Sequence, residues 1–261
     1  MLPGPDSPHR DPSFPITSPE IPGKRGVRPT PHARLVALIE VILCSDFPTQ
    51  LVLGGAFTAL GYAPFNAAGT LSTVYVVGIS LADTALLVGL VLLFLHVHRE
   101  RPRDVILGRG RVAPEAAAGI PMLLVALGIA IAVLLVVKRL APSLHDVEHN
   151  PLQDLLRSPR EAWLFALVVT VAGGVREEIQ RAFLLHRFEN WLGGGEVGVI
   201  VTSVAFGAGH LLQGADAAIA TGLLGAFWGS VYLRRRSAIA PMVSHAGFDL
   251  TQILQFVVVR G

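Results

Sequence analysis

Charge is scarce in this sequence. Only 15% of the 261 residues are charged, against about 25% in an ordinary water-facing domain. A soluble surface is therefore missing. Cysteine is scarcer still. Cys44 stands alone, which excludes an intrachain disulfide and any zinc site built on cysteines. It lies in an apolar run and reads as a buried, inert thiol. Neither sign of charge dominates, since 21 Lys and Arg face 19 Asp and Glu, a formal net charge of +2. The sequence pI near 9.0 would suggest nucleic acid in a soluble protein. Here the basic residues are confined to short segments between apolar runs, where the positive-inside rule accounts for them. Nucleic acid is not an expected partner.

What the sequence has instead is apolar length. It is 52% hydrophobic with a mean hydropathy of +0.56, and several runs approach the roughly 20 residues that a helix needs to cross the hydrocarbon core. These runs fall at 35–62, 72–97, 116–137, 162–188, 197–213, 216–233 and 237–258. Leu, Val, Ala and Ile fill them without a two-residue alternation, which points to helices and not to a membrane barrel. The expected fold is all-α, a polytopic transmembrane helix bundle of about seven spans, with six to eight compatible with the pattern. Asp46 and Pro48 interrupt the first run, so a kink or two shorter pieces are expected there.

Residues 1–34 hold half of the prolines together with Lys24, Arg25, Arg28 and Arg34. Such a segment cannot build a core and reads as a disordered, Pro-rich basic tail. The apolar run that follows starts late and contains Glu40 and Asp46, so it reads as a retained span, not a signal peptide. Residues 35–261 then form the transmembrane domain. The tail, the 99–111 loop and Arg234–Arg236 are the basic stretches, while 63–71 has no Lys or Arg. Alternating crossings put the basic stretches on one side and the N-terminus inside, in the cytoplasmic membrane. Gly222, Gly225 and Gly229, with Ala218 and Ala226, let one helix approach its neighbours closely, chiefly within the bundle. The sequence does not specify an oligomeric state.

Ionisable side chains cost about 2.5–3.5 kcal/mol each at the centre of a membrane helix, so their presence needs a reason. They gather in late runs, as Arg176-Glu177-Glu178-Ile-Gln-Arg181, as Phe206-Gly-Ala-Gly-His210, and as His245-Ala-Gly-Phe-Asp249. Glu177 and Arg181 are four residues apart on one helical face, and Glu178 reaches Arg181 from three away. His245 and Asp249 also share a face. Taken singly, each feature has a plain structural use. A Glu–Arg pair is as often a clamp within a helix, and a lone membrane histidine more often bridges two helices. Their coincidence on helices of one bundle favours a shared polar cavity.

These residues resemble the CPBP family of intramembrane proteases, which includes the Rce1-type CAAX prenyl endopeptidases. Glu177-Glu178-Ile-Gln-Arg181 is similar to its EExxxR motif, Phe206 to His210 to FxxxH, and His245 to Asp249 to a histidine followed by Asn or Asp. The resemblance covers roughly residues 116–258. It implies an intramembrane endopeptidase acting on a peptide or a membrane-anchored protein segment, with a cavity open to water from the cytoplasmic half. Glu177 would take a proton from water held by His210, and His245 with Asp249 would stabilise the oxyanion. Glu178 and Arg181 would orient and tune Glu177, and Phe206 would support the second motif. No cofactor is expected, although Glu177, His210 and His245 could alternatively hold zinc. Counting about 1.5 Å per residue leaves the three motifs at depths that agree only to roughly 10 Å, unless helices tilt or break.

Rival readings are a non-catalytic member of the fold, binding a peptide or giving immunity to a bacteriocin, and a proton-coupled transporter. Intact motifs disfavour the first. The absence of related halves disfavours the second. Asp249 stands where Asn is common, and unlike Asn it donates no hydrogen bond when ionised. It is accordingly read as orienting His245. Asp249→Asn should leave the folded protein active or mildly impaired in a peptide-cleavage assay, and full inactivation of a folded variant would contradict that assignment.

Overall fold

The apolar runs form helices because a chain in lipid must satisfy every backbone N–H and C=O within itself. A computed structural model describes residues 29–147, 150–156 and 158–260. Among these, 81% are helical and none forms a strand. Residues 1–28 of the expected tail lie outside the described residues. The first helix, α1 (Pro31–Leu43), begins four residues before the expected boundary, with the Thr30 hydroxyl accepting the Ala33 N–H as its N-cap.

Asp46 and Pro48 act as expected. Helix α1 stops, Asp46 takes a left-handed conformation at φ 79°, and α2 (Phe47–Ala59) leaves at an angle of 43°. Next come α3 (Thr73–Val97) and α4 (Val112–Leu140). The fourth apolar run is α5 (Pro159–Val168), a π-helical segment at Val169–Glu177, and α6 (Glu178–Trp191). Helices α7 (Gly195–Ala208), α8 (Ala215–Arg235) and α9 (Ile239–Arg260) complete the bundle. Each apolar run thus coincides with a helical segment. By length and composition, α3, α4 and α8 are each apolar enough to cross a membrane, and the bent α1–α2 pair passes the same test when its two helices are taken as one span. The remaining runs are shorter or carry the polar motifs. Leu51, Leu124, Leu135, Leu140 and Val204 are exposed on the outer faces of these helices, as lipid-facing side chains should be.

The bundle divides along its length. At the end bearing the 98–111 loop and Arg234–Arg236 it is filled. Leu87, Val91, Leu95, Val105, Phe183 and Leu185 form one buried cluster there, joined by Tyr232. An ion network completes that end. The Arg187 guanidinium, 1% exposed, donates from Nε to Glu40 and from Nη1 to Glu100, at 2.6 Å each. His98 meets Glu40 at 2.5 Å and His186 meets Glu100 at 2.8 Å. Helices α1, α3 and α6 are thereby tied by charge where a lone buried Arg would be costly. The larger cavity lies towards the other end, formed by the 60–72 turn, residues 141–147 and 150–156, and the 209–214 turn.

Glu100 lies beyond the end of α3, outside the apolar stretch. Burial works against its charge, but the His186 hydrogen bond and the Arg187 guanidinium outweigh burial and hold its pKa below the ordinary 4.5. A carboxyl depressed in this way contributes stability that is present above its unfolded pKa and lost as pH falls through the folded one. The melting temperature in detergent should therefore fall as pH drops below that ordinary value. Glu100→Gln should start lower at neutral pH and flatten this acid limb. Parallel pH profiles for the two proteins would refute the assignment.

Candidate functional site

The π segment sets the site. One widened turn brings Gly173 and Gly174 against α9, so close that a Cβ on Gly174 would lie 2.5 Å from the Ala246 Cβ and 2.7 Å from its Cα. A Cβ on Gly173 would lie 2.5 Å from Asp249 Oδ2. Two backbones in contact place the end of the π segment beside His245. Glu177 closes that segment and Glu178 opens α6, so adjacent carboxylates leave the helix in different directions.

Glu178 turns into the protein and is 1% exposed. Its Oε1 accepts the hydrogen bond of His245 Nδ1 at 2.8 Å and pairs with Arg181. Glu177 faces the cavity, with Oε2 3.8 Å from His245 Nε2. Asp249 Oδ2 lies 3.8 Å from the same nitrogen. Asp249 thus stands beside His245, facing Nε2 next to Glu177, while Glu178 occupies Nδ1. The Trp228 ring stacks on His245 at 3.9 Å and 19°, and Trp228 Nε1–H donates to Ser244 Oγ at 3.1 Å.

Phe206 joins the motifs. Its ring lies 4.8 Å from the Arg181 guanidinium carbon, 4.9 Å from the His210 ring and 6.0 Å from the His245 ring. His210, just past α7, is 2.8 Å from the Phe206 carbonyl through Nδ1. A carbonyl only accepts, so Nδ1 carries the proton and Nε2 keeps its lone pair in the neutral ring. Arg181 pairs with Glu178 and not with Glu177. The guanidinium near Glu177 is that of Arg176, 3.8 Å away, which also reaches Asp46 at 3.0 Å, Asp83 at 3.6 Å and Gln180 at 3.2 Å.

Sequence reasoning did not single out Trp228, Asp83 or the use of Asp46. A carboxylate within an apolar run was the available signal for the two acids. Trp228 had no signal beyond its presence in a span. The break between α5 and α6 removes the mismatch in depth for Glu177, His245 and Asp249.

A cavity of about 490 Å³ is lined by Glu177, His210, His245 and Asp249, with apolar walls that include Leu134, Phe165 and Leu224. A second, of about 390 Å³, lies between the α1–α2 bend and α7. Glu177, His210, Arg176 and Phe206 border both. The larger cavity is lined by Val76 and Ser80 near the start of α3, by Leu134 near the end of α4, and by Asn150, Leu152 and Gln213. These residues lie towards the end away from the basic loops, whereas the second cavity is also lined by Val41, Leu184 and Phe188 of the packed cluster.

Among the described residues no group of three or more His, Cys, Asp or Glu side chains could hold a metal ion. The alternative zinc set of Glu177, His210 and His245 does not form a cradle.

Residues 159–251 match the model of the Rce1-like family, described as type II CAAX prenyl endopeptidase Rce1-like. The segment runs from the start of α5 into α9 and contains every motif residue. No curated protein and no solved structure matches the chain. Fold and match together define an integral membrane protein with the core of a CAAX-type protease. The match covers just over a third of the chain, and in that segment the chain is similar to the Rce1-like family, a resemblance that implies a peptide or protein substrate.

Overpacking a tight contact costs about 1–3 kcal/mol. Gly174→Ala should accordingly lower the unfolding temperature and separate Glu178 from His245. Gly128→Ala in α4, where a Cβ meets nothing within 4 Å, should be neutral or stabilising by up to about 1 kcal/mol. Equal melting of the two variants would show that the π segment and α9 are not in this contact.

Proposed function

We propose that the chain is an intramembrane endopeptidase that hydrolyses peptide bonds of a peptide or membrane-anchored protein with water activated by Glu177. The observation that carries this reading is the convergence of Glu177 and Asp249 on His245 Nε2, each at 3.8 Å, on a cavity that His210 also lines.

Glu177 and the free Nε2 of His210 are both acceptors, suited to hold the two hydrogens of one water. That leaves a water lone pair for the substrate carbonyl carbon. As the C–O bond forms, a proton passes to the Glu177 carboxylate. The carbonyl π electrons move to oxygen, and His245 stabilises the oxyanion. With Nδ1–H committed to Glu178, Nε2 donates only from the doubly protonated ring, and the Glu178 carboxylate balances that charge. Collapse of the tetrahedral intermediate breaks the C–N bond, and Glu177 returns its proton to the leaving amine. Trp228 and Glu178 hold the imidazole in place. Arg181 fixes Glu178, and Arg176 supplies positive charge beside Glu177. Asp249 supports His245 from the Nε2 side.

The reaction is proposed to be metal-free. The membrane is proposed to be the cytoplasmic one, with the N-terminus inside, from the basic stretches. The family is described as a prenyl endopeptidase, but the walls around Glu177 are those of an ordinary apolar cleft and do not single out a prenyl chain.

A general base contributes about 10²–10⁴-fold to rate, so Glu177→Gln should lose activity in that range while melting like wild type. The readout is new peptide termini by mass spectrometry after incubation with solubilised membrane proteins. Chelators should leave the wild-type rate unchanged. An unimpaired Glu177→Gln variant would sink the mechanism, and a chelated enzyme restored by zinc would sink its metal-free form.

A further inference from the structure

Cleavage within a chain leaves polypeptide on both sides of the reacting bond, so space is needed on two sides of the groups that hold the water. The structure has both. The larger and the smaller cavity each border Glu177 and His210, and Arg176, Phe206, Leu152 and Gln213 stand around the same junction.

Helices α7 and α8 make the partition between the two. They pack closely, since a Cβ on Gly207 would lie 2.7 Å from the Ala218 carbonyl oxygen. Helix α8 lines the larger cavity with Ala217, Thr221 and Leu224, and α7 lines the smaller one with Val201, Thr202 and Ala205. The remaining walls differ in chemistry. Away from the reacting groups the larger cavity is mainly apolar, with Leu134, Phe165, Phe248 and Ile253. The smaller one is bounded by Ser45, Asp46, Gln50 and Gln180 beside Val41 and Leu184. Its charges are matched within the protein, because Asp46 faces Arg176 at 3.0 Å and Arg181 pairs with Glu178. A charged side chain entering there would find no counter-charge left over.

The backbone of the substrate adds a second constraint. A helical carbonyl already accepts an N–H from four residues on, so the segment at Glu177 must be unwound. Its freed N–H and C=O groups then need partners where lipid offers none. Gln153 and Gln252 in the larger cavity, Gln50 in the smaller one and Gln213 at the junction carry amides suited to that role.

We infer that the substrate lies extended across Glu177 and His210 with one flank in each cavity, and that the cavities select side chains separately. The flank along α8 presents a large apolar side chain, and the flank along α7 presents a small or uncharged polar one. Thr221 and Thr202 are the specificity-determining residues, one for each flank. This rests on the protease reading above.

The test aligns, on the cleaved bond, all peptide termini that wild type makes from solubilised membrane proteins and Glu177→Gln does not. Large apolar residues should be enriched on one side of the bond, and small or uncharged polar residues on the other. Excess bulk in a pocket is worth about 10-fold or more in rate. Thr221→Leu should cut cleavage beside large apolar residues by about that factor and leave the preference across the bond unchanged. The Thr202 hydroxyl bonds to the Gly198 carbonyl of its own helix at 2.8 Å, so Thr202→Leu unpairs no other helix. It should alter the preference on the opposite side alone. Ala217→Leu and Ala205→Leu repeat the comparison from neighbouring positions, and variants that melt like wild type are the ones compared. Selection on one side only, or substitutions in both cavities that change the same side or neither, overturns the inference and leaves the protease reading intact. If no terminus depends on Glu177, the protease reading fails and the inference fails with it.

Discussion

The buried carboxylate of Glu178 is the contact on which the rest of the site depends. It has almost no exposure, and a carboxylate without water must be matched by charge and hydrogen bonds in the protein. Arg181 supplies the charge from its own helix, and His245 supplies a hydrogen bond from α9 at 2.8 Å. Both partners are then constrained in turn. Arg181 lies over Phe206 of α7 and near Trp228 of α8, and Trp228 stacks on His245. One buried group thus sets the mutual position of α6, α7, α8 and α9. Glu177 faces the cavity because its neighbour is committed to the interior.

That commitment explains the close backbone contact below it. For Glu178 to reach His245, the chain before α6 must run against α9, and only residues without a Cβ fit there. Gly173 and Gly174 meet that demand. The π-helical turn supplies the change of phase that lets Glu177 and Glu178 follow directly. A regular α-helix across the same stretch would rotate the two carboxylates away from their partners, since one widened turn shifts every later residue around the axis.

Much of this was legible in the residues. The helical bundle followed from apolar runs with little charge, the break at Asp46–Pro48 from a carboxylate and a proline in such a run, and the site from clustered polar groups where lipid makes them costly. The partnerships were not. Spacing placed Glu177 and Arg181 on one face, but spacing assumes a uniform helix, and the π segment ends at Glu177. Arg181 consequently belongs to Glu178, and spacing did not tell which nitrogen of His245 Asp249 faces. Trp228 shows the same limit. An aromatic residue in a span looks like core packing until the ring beneath it proves to be His245.

The matched family segment does not contain everything near Glu177. Arg176 stands 3.8 Å from it, and two of the acids that hold Arg176 come from outside residues 159–251. Asp46 belongs to the bend between α1 and α2, and Asp83 to α3. Without them, Arg176 would be a buried cation whose nearest counter-charge is Glu177, and a tighter pair there would compete with the water that Glu177 must hold. Sharing the guanidinium among three carboxylates leaves Glu177 with a positive neighbour that does not claim it. The first two spans, which resemble nothing distinctive in sequence, are on this argument part of the site. Their contribution is to keep Arg176 occupied. The left-handed Asp46 is the backbone feature that brings the bend within 3.0 Å of Arg176.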